Sequence, residues 1–502
     1  MKAINRNKTN DIFKIKPAML QDLTDFIAPI LTPLFNKAIN EQNYPDALKA
    51  TKVIELYKCK DKTDPANYRP ISLLPIIAKI FDTIINNQLM KHLIKHNIIS
   101  PTQYAFRPNS STTLALQTIL NTIHKHKTKK EPVLAIYVDL SKAYDTVSHQ
   151  KLLHKLKHDF NFSTHTTNFF NSYFHNRQQS THTQHAKSKT QTITHGIPQG
   201  STLSTTLFLL YINDIIKTTP NSKVYTFADD TTLIITSNSL QELETLAQSE
   251  LSNLISYFHN NNLVPNPTKT NYSIFHPKHA QPIELTINDT LLKKNNQAKL
   301  LGLTVQDNLK HHQTINNIIK NIQPITYSFR HANKLLPRET MKQLYYNHVY
   351  PHLISNISIW GSQRNTKTYL QPLIKMQKKI IRLITNLPPK THTAPLMKQL
   401  RILNLCNLYT LRVCVEMHPF IHPTKHVNRP EHNHDYISTT DIHDYKTRYS
   451  HNKHLYFPSA TNTNHFTGTY IKVWNSLPAH IRSISSKETF KRATKDYLLN
   501  QQ

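Results

Sequence analysis

Asp229 and Asp230 stand side by side in K-V-Y-T-F-A-D-D-T-T-L-I-I-T, where two strand-forming runs meet at a tight polar turn. Successive residues of an extended chain face opposite ways, so both carboxylates serve one spot only if the turn bends. One is then an inner metal ligand and the other its flank. A second strand must supply another carboxylate to hold a divalent ion, and Asp139, which ends the apolar run P-V-L-A-I-Y-V-D-L, is the candidate. Such a set suits Mg²⁺, which takes few protein ligands and completes its octahedron with substrate phosphate. Two ions, Mg²⁺ or Mn²⁺ in its place, are what nucleotidyl transfer needs, one for the attacking hydroxyl and one for the leaving pyrophosphate. Without them the cluster is costly, since two unit charges 4 Å apart repel by roughly 4 kcal/mol at an effective dielectric near 20. Tyr144, in D-L-S-K-A-Y-D, can floor a bound sugar, and its ring would clash with a 2′-hydroxyl. Asp145 beside it reads as a cap for the following helix. An Asp-Asp pair alone is usually a solvated turn; its spacing from Asp139, Tyr144 and a Pro-Gln-Gly loop carries the inference.

These residues need a scaffold. Val133 to Val138 is apolar on both faces and predicts a central strand covered on each side. The chain has only five glycines, against about 7% in ordinary proteins. Two of them, Gly196 and Gly200, lie in H-G-I-P-Q-G-S-T-L-S, which predicts a loop bringing backbone close to a ligand, ahead of a helix over 203–216. Gly302, in K-L-L-G-L-T-V, reads as a bulge or a close backbone approach within a strand. Helical spacing covers 17–43, 76–96, a stretch ending at His124, 147–157 and 240–260, with strands at 51–56, 270–275 and 283–287. The order lacks the regular repeat of a doubly wound fold and predicts an α+β sheet with helices on one face. From about 308 the pattern is helical and basic to about 387. Residues 418–465 read as an irregular linker, and a last helix covers 487–499.

The 502 residues suffice for two to four domains. Lys and Arg number 61 against 30 Asp and Glu, a net +31 spread along the whole chain, as in a protein that tracks a polyanion. Three cysteines exclude a disulfide framework and fit a reducing compartment. No apolar run is long enough to span a bilayer and no apolar signal core opens the chain, so the expected setting is intracellular, with no membrane partner. Cys406, Cys414, His418 and His422 loosely suggest a zinc knuckle, but there is no C-x2-C and Pro419 and Pro423 interrupt, so they read as core cysteines with compositional histidines.

Taken together, these motifs resemble the reverse transcriptases of non-long-terminal-repeat, LINE-type retrotransposons, of the Jockey group. N-Y-R-P-I-S-L-L at 67–74 and Q-Y-A-F-R at 103–107 resemble the family's finger motifs; Y-V-D-L-S-K-A-Y-D-T-V, G-I-P-Q-G-S-T-L-S and F-A-D-D resemble motifs A, B and C; N-P-T-K-T at 266–270 is similar to motif D and K-L-L-G-L to the primer grip. The resemblance implies a right-hand polymerase. A helical extension (1–50) would precede fingers and an antiparallel palm (51–307), a helical thumb (308–387) and a mainly helical, basic C-terminal region (388–502). It assigns Asp139, Asp229 and Asp230 to the metals, with Asp229 sharing both ions with Asp139 and Asp230 the more dispensable. Tyr144 becomes the sugar gate, while Gln199 and Gly200 sit by the templating base and incoming nucleotide. Arg69, Arg107 and Lys58 approach triphosphate or template, Lys269 protonates the leaving pyrophosphate, and Leu301 and Gly302 form the primer grip. The implied reaction is RNA-directed DNA synthesis. Its partners are an RNA template, a DNA primer or target and deoxynucleoside triphosphates, in the nucleus and cytoplasm. The family's endonuclease is missing, as in a polyprotein fragment or 5′-truncated copy, and would be supplied upstream or in trans. Ala105 replaces the usual Gly and Thr205 the usual Pro, which predicts a less well adapted backbone at both places. The rival readings are an inactive relic that only binds nucleic acid, and an RNA-templated RNA polymerase, which Tyr144 disfavours.

Overall fold

The structure is a computed structural model, described here for residues 1, 6, 10–58, 61–183, 186–276, 282–362, 369–422, 455 and 466–502. Its centre is a five-stranded sheet in the order Lys293–Lys294, Asn271–Phe275, Val133–Val138, Asp230–Thr236, Lys223–Phe227. Neighbours are antiparallel except at the short 293–294 edge. All six residues of Val133–Val138 are buried, because V-L-A-I-Y-V offers no polar face. Leu134, Ile136 and Val138 enter one apolar core; Val133, Ala135 and Tyr137 enter another. Helices Ile76–Lys95, Thr202–Tyr211 and Leu240–Asn260 build the first core, and helix Thr112–Thr128 packs on the opposite side. The expectation of helices on one face is therefore corrected: a strand apolar at every position must be covered twice.

A second, four-stranded sheet runs Tyr68–Leu73, Ala50–Tyr57, Gln178–Thr181, Gln191–Thr192. Its last two strands are polar and largely exposed, and carry no periodicity to announce them. Helix Leu240–Asn260 forms as expected, with Ser239 accepting a cap bond from the Glu242 N–H. The expected 147–157 helix is shorter: His149–His154, capped by Ser148, passes into a π turn at Lys155–Asp159. The expected 203–216 helix is Thr202–Tyr211 followed by a 3-10 turn, Asn213–Lys217. The N-terminal helical stretch is split at Leu23 into Pro17–Asp22 and Thr24–Asn40. Of the 283–287 strand only Thr286–Ile287 pairs.

Helix His312–Ala332 packs on Gln371–Thr385, and helix Leu405–Ile421 on Phe466–Asn475 and Lys487–Asn500. Their apolar residues join the second core of the central sheet, so one continuous core runs from Tyr104 to Leu499. Pro419 lies inside Leu405–Ile421 rather than ending it. His418 and His422 each hold a main-chain carbonyl through Nε2, those of Ile484 and Arg482. The 418–465 linker expectation falls mostly outside the described residues.

Candidate active site

The acidic turn is a two-residue hairpin. Phe227 pairs with Asp230, leaving Ala228 and Asp229 at the tip, and Ala228 takes a left-handed φ of +55°. Val138 pairs with Thr231 on the neighbouring strand, so one further step of the same register sets Asp139 opposite Asp230. Directly opposed residues of antiparallel strands share a face. The bend at Ala228 brings Asp229 into the same field. Loss of solvent, then the charge of Asp139, raises the Asp229 carboxyl, while Arg69 and Lys58 pull it down. Asp230 keeps an exposed edge but is crowded by protein, and this desolvation with the charges of Asp229 and Asp139 pushes it up to about 6. Three carboxylates thus feel one another at the end of one ladder. Among the described residues no three acidic, imidazole or thiol groups close into a ready-made cage. Asp139 instead has a cation beside it: Lys269 Nζ lies 3.1 Å from its Oδ2. The hard oxygen donors and their mutual repulsion fit a divalent ion, which needs only one or two carboxylates besides substrate phosphate.

Lys269 reaches this position because its loop is latched to the strand end. The Asn266 N–H donates to the Asp139 carbonyl (2.8 Å) and the Asp139 N–H to Thr270 Oγ1 (3.4 Å). Lys58 and Arg69 come from one hairpin of the second sheet. Leu56 pairs with Arg69, and Lys58, two residues on, lies close enough for its charge to act on Asp229.

Tyr144 stacks on Phe208 of the Thr202–Tyr211 helix, with centroids 4.6 Å apart and planes 14° from parallel. Burial, then the Asp229 charge, holds its hydroxyl protonated far above the ordinary value. The glycine loop zips onto this segment: the Ile197 N–H donates to the Tyr144 carbonyl and the Gly196 N–H to that of Val147. Gln199 Nε2 donates to Asp145 Oδ1 at 2.9 Å, so Asp145 anchors the loop and Ser148 is the helix cap, correcting the capping expectation. A Cβ on Gly200 would lie 2.5 Å from the Ser72 carbonyl oxygen, and the Gln199 carbonyl accepts from the Ser72 N–H. The backbone of Gly200 thus packs closely on the Ser72 backbone, while the side chain of Gln199 is held by the Asp145 carboxylate.

Arg107, expected near the triphosphate or template, is bonded locally through one nitrogen. Its Nη1 donates to the carbonyls of Ser100 and Gln103, at 2.7 and 3.0 Å, because a half-buried guanidinium must satisfy its donors locally. Gln103 is the residue that sequence reasoning missed. Its Oε1 accepts from the N–H groups of Ala105 and Ala228, at 2.9 and 3.3 Å, fixing the acidic tip to the Q-Y-A-F-R segment. The motif itself was the signal. Ala105 has no left-handed φ and packs with Leu209 and Ala228, so its methyl is well suited to the place. Thr205 sits within its helix and donates to the Thr202 carbonyl at 2.6 Å. Leu301 and Gly302 form the tip of the Gln297–Leu300 and Leu303–Gln306 hairpin, with φ of +45° and +81°. That is a turn demanding left-handed backbone, not the bulge expected for Gly302. Leu301 and Asp230 line one small crevice, so this hairpin abuts the acidic site.

Residues 60–305 match the family described as reverse transcriptase (RNA-dependent DNA polymerase). This segment is similar to a reverse transcriptase domain. The chain is similar to "RNA-directed DNA polymerase from mobile element jockey" of Drosophila melanogaster, 26% identical over 393 residues, 76% of this chain and 42% of that one. It is also similar to "Probable RNA-directed DNA polymerase from transposon BS" of the same organism, 25% identical over 434 residues, 83% and 46% of the two chains. The chain thus spans under half the length of these curated relatives. A solved apo telomerase from Candida tropicalis aligns at a TM-score of 0.37 and 11% identity, covering 52% of this chain and 54% of that one. The matched segment contains the central sheet, the acidic hairpin, the glycine loop and the Lys269 loop, and all of the second sheet except Ala50–Tyr57.

Proposed function

We propose that the chain is the RNA-directed DNA polymerase of a LINE-type retrotransposon, extending a DNA 3′-hydroxyl on an RNA template with deoxynucleoside triphosphates. The observation that carries this is the register placing Asp139 opposite Asp230, with Asp229 at the bend between the Tyr144 ring and the Lys58 and Arg69 cations. Asp139 and Asp229 would hold two divalent ions, Mg²⁺ or Mn²⁺, with Asp230 as their flank. Bound there, such ions supply hydroxyl activation and neutralise the leaving pyrophosphate. Lys58 and Arg69 orient the triphosphate. Tyr144, pinned by Phe208, closes the sugar floor against a 2′-hydroxyl. Lys269, once released from Asp139, hands a proton to the departing pyrophosphate. Gly302 and Leu301 support the primer end.

In this reading the two sheets are fingers and palm to residue 307, a helical thumb follows to 387, and the basic C-terminal helices grip RNA or target DNA. The primer is a 3′-end made by an endonuclease, carried upstream or acting in trans, and the work is done in the nucleus and cytoplasm. Among the described residues no helix is long and apolar enough to cross a membrane. Primer extension on an RNA template tests the proposal. Wild type should extend with deoxynucleotides and Asp229→Ala should lose at least about 10³-fold, in line with other charge-stabilising catalytic groups. Equal extension by the two proteins would overturn it.

A further inference from the structure

Asn356 joins the helical region to the hairpin that abuts the acidic site. It precedes the short helix Ile357–Trp360 at a left-handed φ of +52°, and its side chain makes no cap bond to that helix. An asparagine in this place ordinarily caps. Here its Nδ2 donates to the Leu301 carbonyl at 3.3 Å, and its Oδ1 accepts from Thr113 Oγ1 at 3.1 Å. The orientation of the amide follows from its partners, since a carbonyl can only accept. Leu301 lies 55 residues away in sequence and Thr113 lies 243, so the side chain serves no local turn. Asn356 and Thr113 are both buried, where an unpaired amide would be costly. The backbone behind the side chain is fixed as well. Its carbonyl accepts from the N–H groups of Ile359 and Trp360, and the buried Trp360 ring donates through Nε1 to the Ser355 carbonyl at 2.7 Å.

The hairpin tip needs such a support. Leu300 pairs with Leu303, which leaves Leu301 and Gly302 outside the ladder, and Leu301 lines the crevice it shares with Asp230. A Cβ on Gly302 would come within 3.9 Å of Asn356 Nδ2, so the amide sits beside both tip residues. We propose that Asn356 is a positioning residue, holding the tip, and through it the primer 3′-end, at the height the acidic site requires. The inference rests on the polymerase reading, in which Leu301 and Gly302 support the primer. The bond to Thr113 ties the tip to the helix that follows the Q-Y-A-F-R segment, whose Gln103 also holds the acidic turn through the Ala228 N–H. Hairpin and carboxylates therefore share one frame. Loss of the Asn356 amide displaces the primer end and leaves Tyr144, Lys58 and Arg69 where they are.

Two variants of the full chain test the proposal. Asn356→Asp keeps the size, the tolerance of left-handed backbone and the Thr113 bond, but sets a carboxylate oxygen against the Leu301 carbonyl. Asn356→Gly keeps the backbone and removes the side chain. In both, single-turnover extension at saturating nucleotide should slow by at least about tenfold, while the nucleotide concentration for half-maximal rate changes by less than about twofold. A general structural defect would move both quantities. Hydrogen–deuterium exchange of the free chain supplies a readout without catalysis: amides at 300–303 should exchange at least about fivefold faster in the variants, with those of Val133–Val138 unchanged. An unchanged maximal rate, a rise in half-maximal nucleotide that matches the loss of rate, or unchanged exchange at the tip overturns the proposal. A wild-type chain that extends no primer overturns the polymerase reading and with it the primer role, and tip exchange tells that outcome apart from a failure of Asn356 to hold the hairpin.

Discussion

Tyr144 is held on one side by the Phe208 ring and faces the Asp229 charge on the other, so its position is set by packing rather than by its hydroxyl. Exclusion of a 2′-hydroxyl should then depend on the ring. Tyr144→Ala is expected to raise ribonucleotide use relative to deoxynucleotide by at least about tenfold, whereas Tyr144→Phe, which keeps ring and stack, should retain the discrimination. Competitive incorporation of the two nucleotide types measures it, and a loss of discrimination in Tyr144→Phe would contradict the steric account. Ala228 makes a second point at this scale. A non-glycine residue at φ +55° costs about 1–2 kcal/mol, which glycine would relieve. The methyl, however, is buried against Ala105 and Leu209, worth about 0.8 kcal/mol, and glycine adds about 0.5–1 kcal/mol of chain entropy to be lost. Ala228→Gly should therefore change stability by less than about 1 kcal/mol. Ala228→Val, β-branched at a left-handed site with no room, should destabilise by about 3 kcal/mol or more. Urea unfolding of both variants checks the contrast.

Among the elements, the glycine loop ties the second sheet to the segment after the central strand, because its backbone bonds to Ser72 on that sheet and to residues 144–147. Gly200→Ala puts a Cβ 2.5 Å from the Ser72 carbonyl, against backbone that cannot swing aside, at a φ of +142°. The loop must shift, taking Gln199 off Asp145 and the Tyr144 wall with it. Expected is a fall of at least about tenfold in extension efficiency with Asp139, Asp229 and Asp230 untouched, read as a rise in the nucleotide concentration needed for half-maximal single-turnover extension. Unchanged nucleotide dependence would mean the loop tolerates the shift. Elements with a strong period are legible in the sequence: Val133–Val138 through its unbroken apolar run, Leu240–Asn260 through helical spacing and a Ser cap. The Gln178–Thr181 and Gln191–Thr192 strands are not, because both faces are polar and their place depends on pairing with Ala50–Tyr57, far away in sequence. The acidic residues and Tyr144 were readable from types and spacing. The commitments of Arg107, Gln199 and Gly200 to neighbouring backbone were not, since hydrogen bonds between motifs depend on how the two sheets meet.

Across the whole molecule, the central sheet and the helical region share one core, and the joint between them carries a partly buried histidine. His311 precedes helix His312–Ala332, its Nδ1 has no hydrogen-bond partner among the described residues, and burial with the nearby His124 and His312 lowers its pKa to about 4. In the unfolded chain it titrates near 6.5, so between pH 6.5 and 4 the unfolded state binds the proton and the folded state does not. The stabilisation is thus complete above 6.5 and lost as pH falls toward 4. From pH 7 to pH 5 the loss from this one group is about 2 kcal/mol. Many other histidines titrate in the same window, so the decisive quantity is a difference of differences. His311→Gln should remove about 2 kcal/mol of the pH 7 to pH 5 decline in unfolding free energy, measured by urea denaturation at both values. If wild type and variant lose the same stability on acidification, the joint is not closed around a neutral imidazole and the continuous core must open to water there.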